Sequence, residues 1–136
     1  MLQKKNPFKN KTLFSLHERI KQSKNITKKI KKIKIKYFDK KIKSTNTIDL
    51  IKYLNKINKK SSFFLIIGSD NLINFHKWKK WKLLTELTEI VVFSRKDYDI
   101  KAKKSVIVKK MKKIIFIKNK QINISSTQIR KKYLNF

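Results

Sequence analysis

The feature that most constrains the fold is an uninterrupted run of apolar residues, 63–67, that ends at Gly68, the only glycine of the chain. Its length and its lack of polar alternation are typical of a parallel strand buried on both faces. Residues 90–93 form a second run of the same kind. Helical patterns separate such runs along the chain, so we predict an α/β fold with three layers and a mainly parallel sheet.

The other predicted elements follow from the spacing of apolar residues and from capping residues such as Ser15. The 136 residues suffice for one domain, which we expect to span residues 1–136. We predict helices over residues 13–30, 48–57, 71–75, 78–87 and from 125 or 126 to 134. We also predict a strand over 33–37, one or two further strands from the candidates 106–108 and 114–117, and a polar loop over 95–104.

Composition excludes several classes of protein. The chain has no cysteine, which rules out disulfide frameworks, thiolate nucleophiles and cysteine zinc sites. No window approaches the roughly 18 apolar residues that a membrane span needs. We therefore expect a cytoplasmic protein that has no membrane partner.

The net charge of +30, from 38 Lys and Arg against 8 Asp and Glu, has two explanations. At face value it predicts salt-dependent attraction to nucleic acid. However, the excess is almost all lysine, extends from end to end and accompanies many Ile, Asn and Phe residues, which A+T-rich codons favour. We prefer the explanation by nucleotide bias, and a small basic nucleic-acid-binding protein remains the alternative.

The carboxyl end of the first apolar run is the first candidate site, because open α/β sheets bind ligands at such ends. Gly68 has no side chain, so a nucleotide could approach the backbone there. Asp70 follows at a junction of loop and helix, where its carboxylate can accept from ribose hydroxyls or cap the helix. A simple turn with an aspartate cap is the alternative.

A second candidate site begins the last predicted helix. Ser125, Ser126 and Thr127 would add three hydroxyls to the free N–H groups of the first turn, and Arg130 lies one turn later on the same side. This pattern is typical of phosphate binding. A plain helix cap beside a surface arginine is the alternative.

The tryptophans and histidines give weaker signals. Trp78 and Trp81 are three residues apart and would share a helical face, where core packing is usual and stacking on a flat ligand ring is the alternative. His17 and His76 are the only histidines, and no metal-site spacing joins them to acidic residues. We predict no metal site in the protein itself.

Together and in this order, the motifs resemble nicotinate-nucleotide adenylyltransferase, a nucleotidyltransferase of NAD biosynthesis. The resemblance covers essentially the whole chain and rests on residues 64–72, 75–78, 90–95 and 124–130. Upstream segments that also resemble the family are Asn6-Pro7-Phe8-Lys9, Glu18-Arg19 and Thr47-Ile48-Asp49.

The resemblance implies a Rossmann-like nucleotidyltransferase fold and the transfer of AMP from ATP to nicotinate mononucleotide, with magnesium. It further implies that Gly68 and Asp70 contact the nucleotide and that Trp78 stacks on the nicotinate ring. Thr47 would lie near the carboxylate of that ring, and Arg95 beside its pocket. The phosphates of ATP would be held by Ser125, Ser126, Thr127 and Arg130, with Lys9 as a further phosphate contact.

One segment of the family has no counterpart in the chain. Family members begin with a strand and a loop of the form G-x-F-x-P-x-H-x-G-H, whose histidines steady the α-phosphate. We therefore expect the first strand and helix of the fold to be missing, name no catalytic residue and expect impaired activity. A misassigned start codon, a split or decaying gene, and a non-catalytic product with another role are the three explanations.

Overall fold

The computed structural model describes residues 14–111 and 113–120, together with residues 128 and 131. Within these residues the helices are α1 (Leu16–Thr27), α2 (Asp39–Ile42), α3 (Thr47–Ile57), α4 (Ser69–Ile73), α5 (Trp81–Leu87), α6 (Asp99–Lys103) and α7 (Val106–Lys110), with a 3₁₀ turn at Phe75–Lys77. The strands are β1 (Phe64–Gly68), β2 (Glu89–Phe93) and β3 (Ile114–Ile117). None of the described helices combines the length and the apolar character that a membrane span requires.

The three described strands form one parallel sheet in the order β1-β2-β3. Ile66 pairs with Val91, and Val91 pairs with Ile115 in the next strand. Helices α4 and α5 connect β1 to β2, and α6 and α7 connect β2 to β3. Strands that alternate with helices and run in one direction confirm the predicted α/β class with a parallel sheet.

The core lies on one face of the sheet. Successive strand residues point to opposite faces, so Ile67, Ile90 and Val92 share a side, and all three are buried. Helical side chains pack against them and form one cluster, whose members include Ile48, Ile51, Leu72, Phe75, Leu84, Ala102 and Ile107. Burial on this face explains the apolar residues at alternate positions of the strands. It does not explain the residues between them, and the expectation that the first apolar run is buried on both faces is wrong for β1.

The opposite face of β1 is apolar but exposed. Ile66 and Phe64 retain 63% and 55% of their accessible surface. Phe93, Ile115 and Ile117 on the neighbouring strands are also exposed. Within the described residues, the sheet is therefore covered mainly on the core face.

Two predicted strands are wrong. Residues 33–37 have no regular secondary structure and pair with none of the described strands. Residues 106–108 lie in α7 instead, with Ile107 fully buried and α7 against α4. Tertiary packing here overrides the strand preference of β-branched residues.

The helix predictions are confirmed with shifted boundaries. Ser15 caps α1 as predicted, although α1 ends at Thr27. The predicted helix over residues 78–87 begins only at Trp81, because Lys80 is in the left-handed conformation. The predicted polar loop after Arg95 contains α6. The predicted helix that ends at Leu134 lies mostly outside the described residues.

Candidate functional site

The candidate site lies where β1 and β2 end side by side. Gly68, the last residue of β1, pairs with Phe93, the last residue of β2. Because the strands are parallel, the segments that follow them leave the same edge of the sheet. This edge brings Asp70 and Arg95 together, although 25 residues separate them in sequence.

Gly68 gives room to a side chain of its own loop. Its backbone is extended, with φ −82° and ψ 158°, which any residue can adopt. A Cβ atom placed on Gly68 would lie 2.5 Å from Oδ1 of Asp70. The carboxylate of Asp70 therefore occupies the space directly above the end of the strand.

The two oxygens of Asp70 have different surroundings. Oδ2 accepts a hydrogen bond from Nη1 of Arg95 at 2.7 Å, in an ion pair whose side chains are 25% and 42% exposed. Oδ1 is buried, and none of the described residues donates to it. A buried anionic oxygen without a donor is costly, so this atom is well suited to accept from a ligand.

Ser69 and Asp99 hold the backbone of the loop after β2. Ser69 is fully buried, and its Oγ accepts from the N–H of Arg95 at 3.0 Å. The same N–H donates to Oδ1 of Asp99 at 3.0 Å, while the hydroxyl of Ser94 donates to Oδ2 of Asp99. The hydrogen bond from Ser94, followed by the other donors, holds the pKa of Asp99 below its ordinary value, while burial opposes the shift.

Thr47 begins α3 beside a second group of polar residues. Oδ2 of Asp49 accepts from the hydroxyl of Ser44 at 2.7 Å and from the side-chain amide of Asn46 at 3.3 Å. Lys79 completes the group, with its Nζ 3.5 Å from the same oxygen. These contacts, with Ser44 first, lower the pKa of Asp49 against the opposing effect of burial.

An open cavity of about 420 Å³ adjoins this polar group. Its lining mixes two lysines with hydroxyl, amide, carboxylate and phenol groups, from Tyr37, Asp39, Lys40, Lys43, Ser44, Thr45 and Asn46. Such a lining suits a polar ligand that carries negative charge.

Trp78 lies outside any helix, between the 3₁₀ turn and α5. Its ring stacks on that of the fully buried Phe75, with 4.9 Å between the centroids and 27° between the planes. The expected shared helical face of Trp78 and Trp81 is therefore wrong. Because Lys79 contacts Asp49, the segment that carries Trp78 is joined to the start of α3 near Thr47.

Five predicted phosphate contacts lie outside the described residues. They are Lys9, Ser125, Ser126, Thr127 and Arg130. The structure therefore brings the nucleotide candidates Gly68 and Asp70 together with Arg95, which was expected beside the nicotinate pocket. It places Thr47 and Trp78 on two segments joined by an ion pair.

Sequence reasoning missed the residues that hold the site in shape. Ser69 and Asp99 fix the backbone of Arg95, and Asp49 joins Ser44 to Lys79. Short polar residues beside the strand ends were the available signal for Ser69 and Asp99. The contact between Asp49 and Lys79 joins α3 to the turn before α5, and no local sequence pattern indicates it.

The sequence of the chain is similar to a known family and to named proteins within it. The profile of the cytidylyltransferase-like family matches residues 1–132. A protein of Pelagibacter ubique named probable nicotinate-nucleotide adenylyltransferase is 48% identical over 130 residues, which are 94% of this chain and 72% of that protein. A protein of the same name from Fusobacterium nucleatum is 37% identical over 120 residues, 86% of this chain and 61% of its own length.

A solved structure shows the same fold. The nicotinic acid mononucleotide adenylyltransferase of Plasmodium falciparum, complexed with NaAD, superposes with a TM-score of 0.70 at 24% identity. The match covers 89% of this chain and 62% of the other. This chain thus spans between three fifths and three quarters of the length of these three proteins.

Proposed function

Because the chain belongs to the cytidylyltransferase-like family and to its nicotinate-nucleotide adenylyltransferases, we propose that it transfers AMP from ATP to nicotinate mononucleotide. The products are nicotinate adenine dinucleotide, a precursor of NAD, and pyrophosphate. The observation that carries the proposal is the 48% identity to the Pelagibacter ubique protein over 94% of this chain. A cytoplasmic location, where NAD precursors are made, is part of the proposal.

In the proposed reaction, a phosphate oxygen of nicotinate mononucleotide attacks the α-phosphorus of ATP. A new P–O bond forms, and the bond to the leaving pyrophosphate breaks. Such transfer depends mainly on positioning and on electrostatic stabilisation of the transferred group. We assign the described residues to positioning and assign a catalytic role to none of them.

The binding roles are distributed over the two parts of the site. Asp70 accepts from the nucleotide with Oδ1, the buried oxygen that lacks a donor among the described residues. Trp78 stacks on the nicotinate ring, and its half-buried ring already rests on Phe75. Thr47 lies near the nicotinate carboxylate. The proposal keeps Ser125, Ser126, Thr127 and Arg130 as contacts of the ATP phosphates, and Lys9 as a further one.

Magnesium enters the proposal with ATP and not through the protein. The part of the chain that the structure describes contains no cluster of three His, Cys, Asp or Glu side chains that could hold a metal ion. The carboxylates near the strand ends, Asp70 and Asp99, already bind Arg95 and Ser94. We therefore propose that phosphate oxygens supply the ligands, which magnesium commonly uses.

Pyrophosphate release from ATP, measured with and without nicotinate mononucleotide, tests the reaction. Trp78→Ala should weaken the binding of nicotinate mononucleotide about tenfold, because the nicotinate ring loses a stacking surface. The affinity for ATP should stay nearly unchanged. Tyr98→Ala is a matched control, since Tyr98 is an exposed aromatic residue outside the proposed pocket. Nicotinamide mononucleotide should be the poorer acceptor.

Arg130→Ala should instead weaken the binding of ATP, and Lys131→Ala is its control. Binding of both substrates is measured separately by calorimetry, so a slow chemical step does not hide a binding site. Release of pyrophosphate that ignores nicotinate mononucleotide, or failure to bind it, would contradict the proposed function.

A further inference from the structure

Arg95 is fixed by contacts from two loops. Its backbone N–H donates to Ser69 and to Asp99, each at 3.0 Å. These hydrogen bonds fix the backbone of Arg95 after β2 independently of its side chain. Its guanidinium then reaches across the edge of the sheet to Oδ2 of Asp70 at 2.7 Å. The backbone contacts and the ion pair thus join Arg95 to the loops that follow both strands.

The carboxylate of Asp70 is the group that this arrangement orients. With Oδ2 bound to Arg95, Oδ1 lies over the end of β1, buried and without a donor among the described residues. Only glycine at position 68 leaves space for it, because a Cβ atom there would approach to 2.5 Å. Among the described residues, Arg95 is the group that holds the carboxylate of Asp70 by a hydrogen bond, so its loss would free the carboxylate to rotate toward water.

We propose that Arg95 is a positioning residue that acts through Asp70, holding its carboxylate over Gly68 so that Oδ1 accepts from a ribose hydroxyl of ATP. The inference rests on the proposed function, because it assumes that ATP binds at the ends of β1 and β2. It assigns Arg95 to the nucleotide, whereas the family resemblance implies a place beside the nicotinate pocket.

A purely structural role of Arg95 makes a different prediction. If the arginine merely stabilised the loop after β2, its loss would lower the affinity for every nucleotide by the same factor. If it positions Asp70, its loss weakens only ligands that carry the hydroxyl. A hydrogen bond to a charged group contributes enough for a change of about tenfold or more in affinity.

The experiment compares binding of ATP and of 2′,3′-dideoxy-ATP, which lacks both ribose hydroxyls, by calorimetry. The wild-type chain should prefer ATP by about tenfold. Arg95→Gln and Asp70→Asn should each abolish most of this preference, and the double variant should lose no more. Arg95→Lys should retain part of it, because the charge remains but the planar fork does not.

Lys96→Gln is the matched control, since it removes a positive charge from the same loop without touching Asp70. It should keep the full preference for ATP. An Arg95→Gln variant that still prefers ATP about tenfold overturns the proposal and leaves the proposed function standing.

The same four proteins separate this inference from the proposed function. A wild-type chain that binds no ATP overturns the proposed function. Thermal unfolding of the wild type, the two single variants and the double variant then decides whether Arg95 holds Asp70. Non-additive changes in stability are expected for a contacting pair, and additive changes overturn the positioning step.

Discussion

A methyl group added at Gly68 would contact a side chain and not the backbone. The nearest atom to a new Cβ is Oδ1 of Asp70, and the next contacts, at 3.7 and 4.0 Å, are ordinary. Asp70 can rotate away, so Gly68→Ala should change the free energy of unfolding by less than about 1 kcal/mol. The rotation should, however, separate Asp70 from Arg95 and weaken ATP binding.

Urea unfolding and ATP calorimetry on the Gly68→Ala variant measure the two effects independently. Ser62→Ala, an exposed change just before β1, is the control for each. A variant that loses several kcal/mol of stability but binds ATP normally would show that the glycine serves backbone packing instead.

Asp49 should make the stability of the chain fall in acid. Its pKa in the folded chain lies below the ordinary value of 3.8, chiefly because the hydroxyl of Ser44 donates to it. A group whose pKa is lowered by folding contributes stability above the unfolded pKa, and this contribution disappears as the pH falls through the folded pKa. Unfolding temperatures should therefore drop below about pH 4.

Asp49→Asn removes the titrating group and should flatten part of this acid dependence. Ser44→Ala should flatten it less, because Asn46 and Lys79 still favour the charged carboxylate. Asp99 and Glu18, whose pKa values are also lowered, should retain part of the acid dependence. An Asp49→Asn profile with the same acid slope as the wild type would exclude this residue as a cause.

At the scale of single elements, α1 depends on its own cap. None of its residues is buried, so tertiary packing adds little. Ser15 Oγ accepts from the N–H of Glu18 at 3.2 Å, and Glu18 Oε2 accepts from the N–H of Ser15 at 2.7 Å. Ser15→Ala should speed amide hydrogen exchange in the first turn about fivefold.

Ser23→Ala provides the matched control in the middle of α1. The substitution is the same, but alanine favours a helix interior, so exchange should stay equal or slow down. Equal acceleration by both variants would mean that the capping box does not stabilise the helix.

The elements that could be predicted are those whose apolar pattern is compatible with one kind of secondary structure. The short apolar runs that became β1 and β2 are typical of strands, and both form strands, although consecutive residues are buried only in β2. Ile33 and its neighbours alternate like a strand, yet none of the described strands pairs with them. Val106 and Ile107 prefer strands locally, but packing against α4 makes them helical. Both errors concern information that lies elsewhere in the chain.

The candidate site likewise has features that the sequence predicts and features that it does not. That Asp70 and Arg95 approach each other follows from parallel strand ends, which a sequence can reveal. That Gly68 makes room for a carboxylate does not, because it depends on one side-chain rotamer. Helical spacing also misplaced Trp78, since the left-handed conformation of Lys80 starts α5 three residues later.

The charge of the whole molecule has a prediction of its own. A net charge of +30 attracts RNA whether or not a binding face exists, and the affinity should fall steeply as salt rises. The two explanations differ in whether particular lysines matter. Charge from nucleotide bias is spread over the surface, so affinity should depend on the number of lysines and not on their position.

Two triple variants with equal charge loss make the comparison. One replaces exposed lysines before α2 by glutamine, and the other replaces exposed lysines in and after α6: Lys31, Lys32 and Lys34 against Lys101, Lys103 and Lys104. Binding to a single-stranded RNA, measured across a salt series, should weaken equally in both. Each should also lower the slope against log salt by about the same amount, since each removes three phosphate contacts. Loss of RNA binding in one variant alone would identify a dedicated face, because a surface charged only by codon bias has no reason to prefer either set.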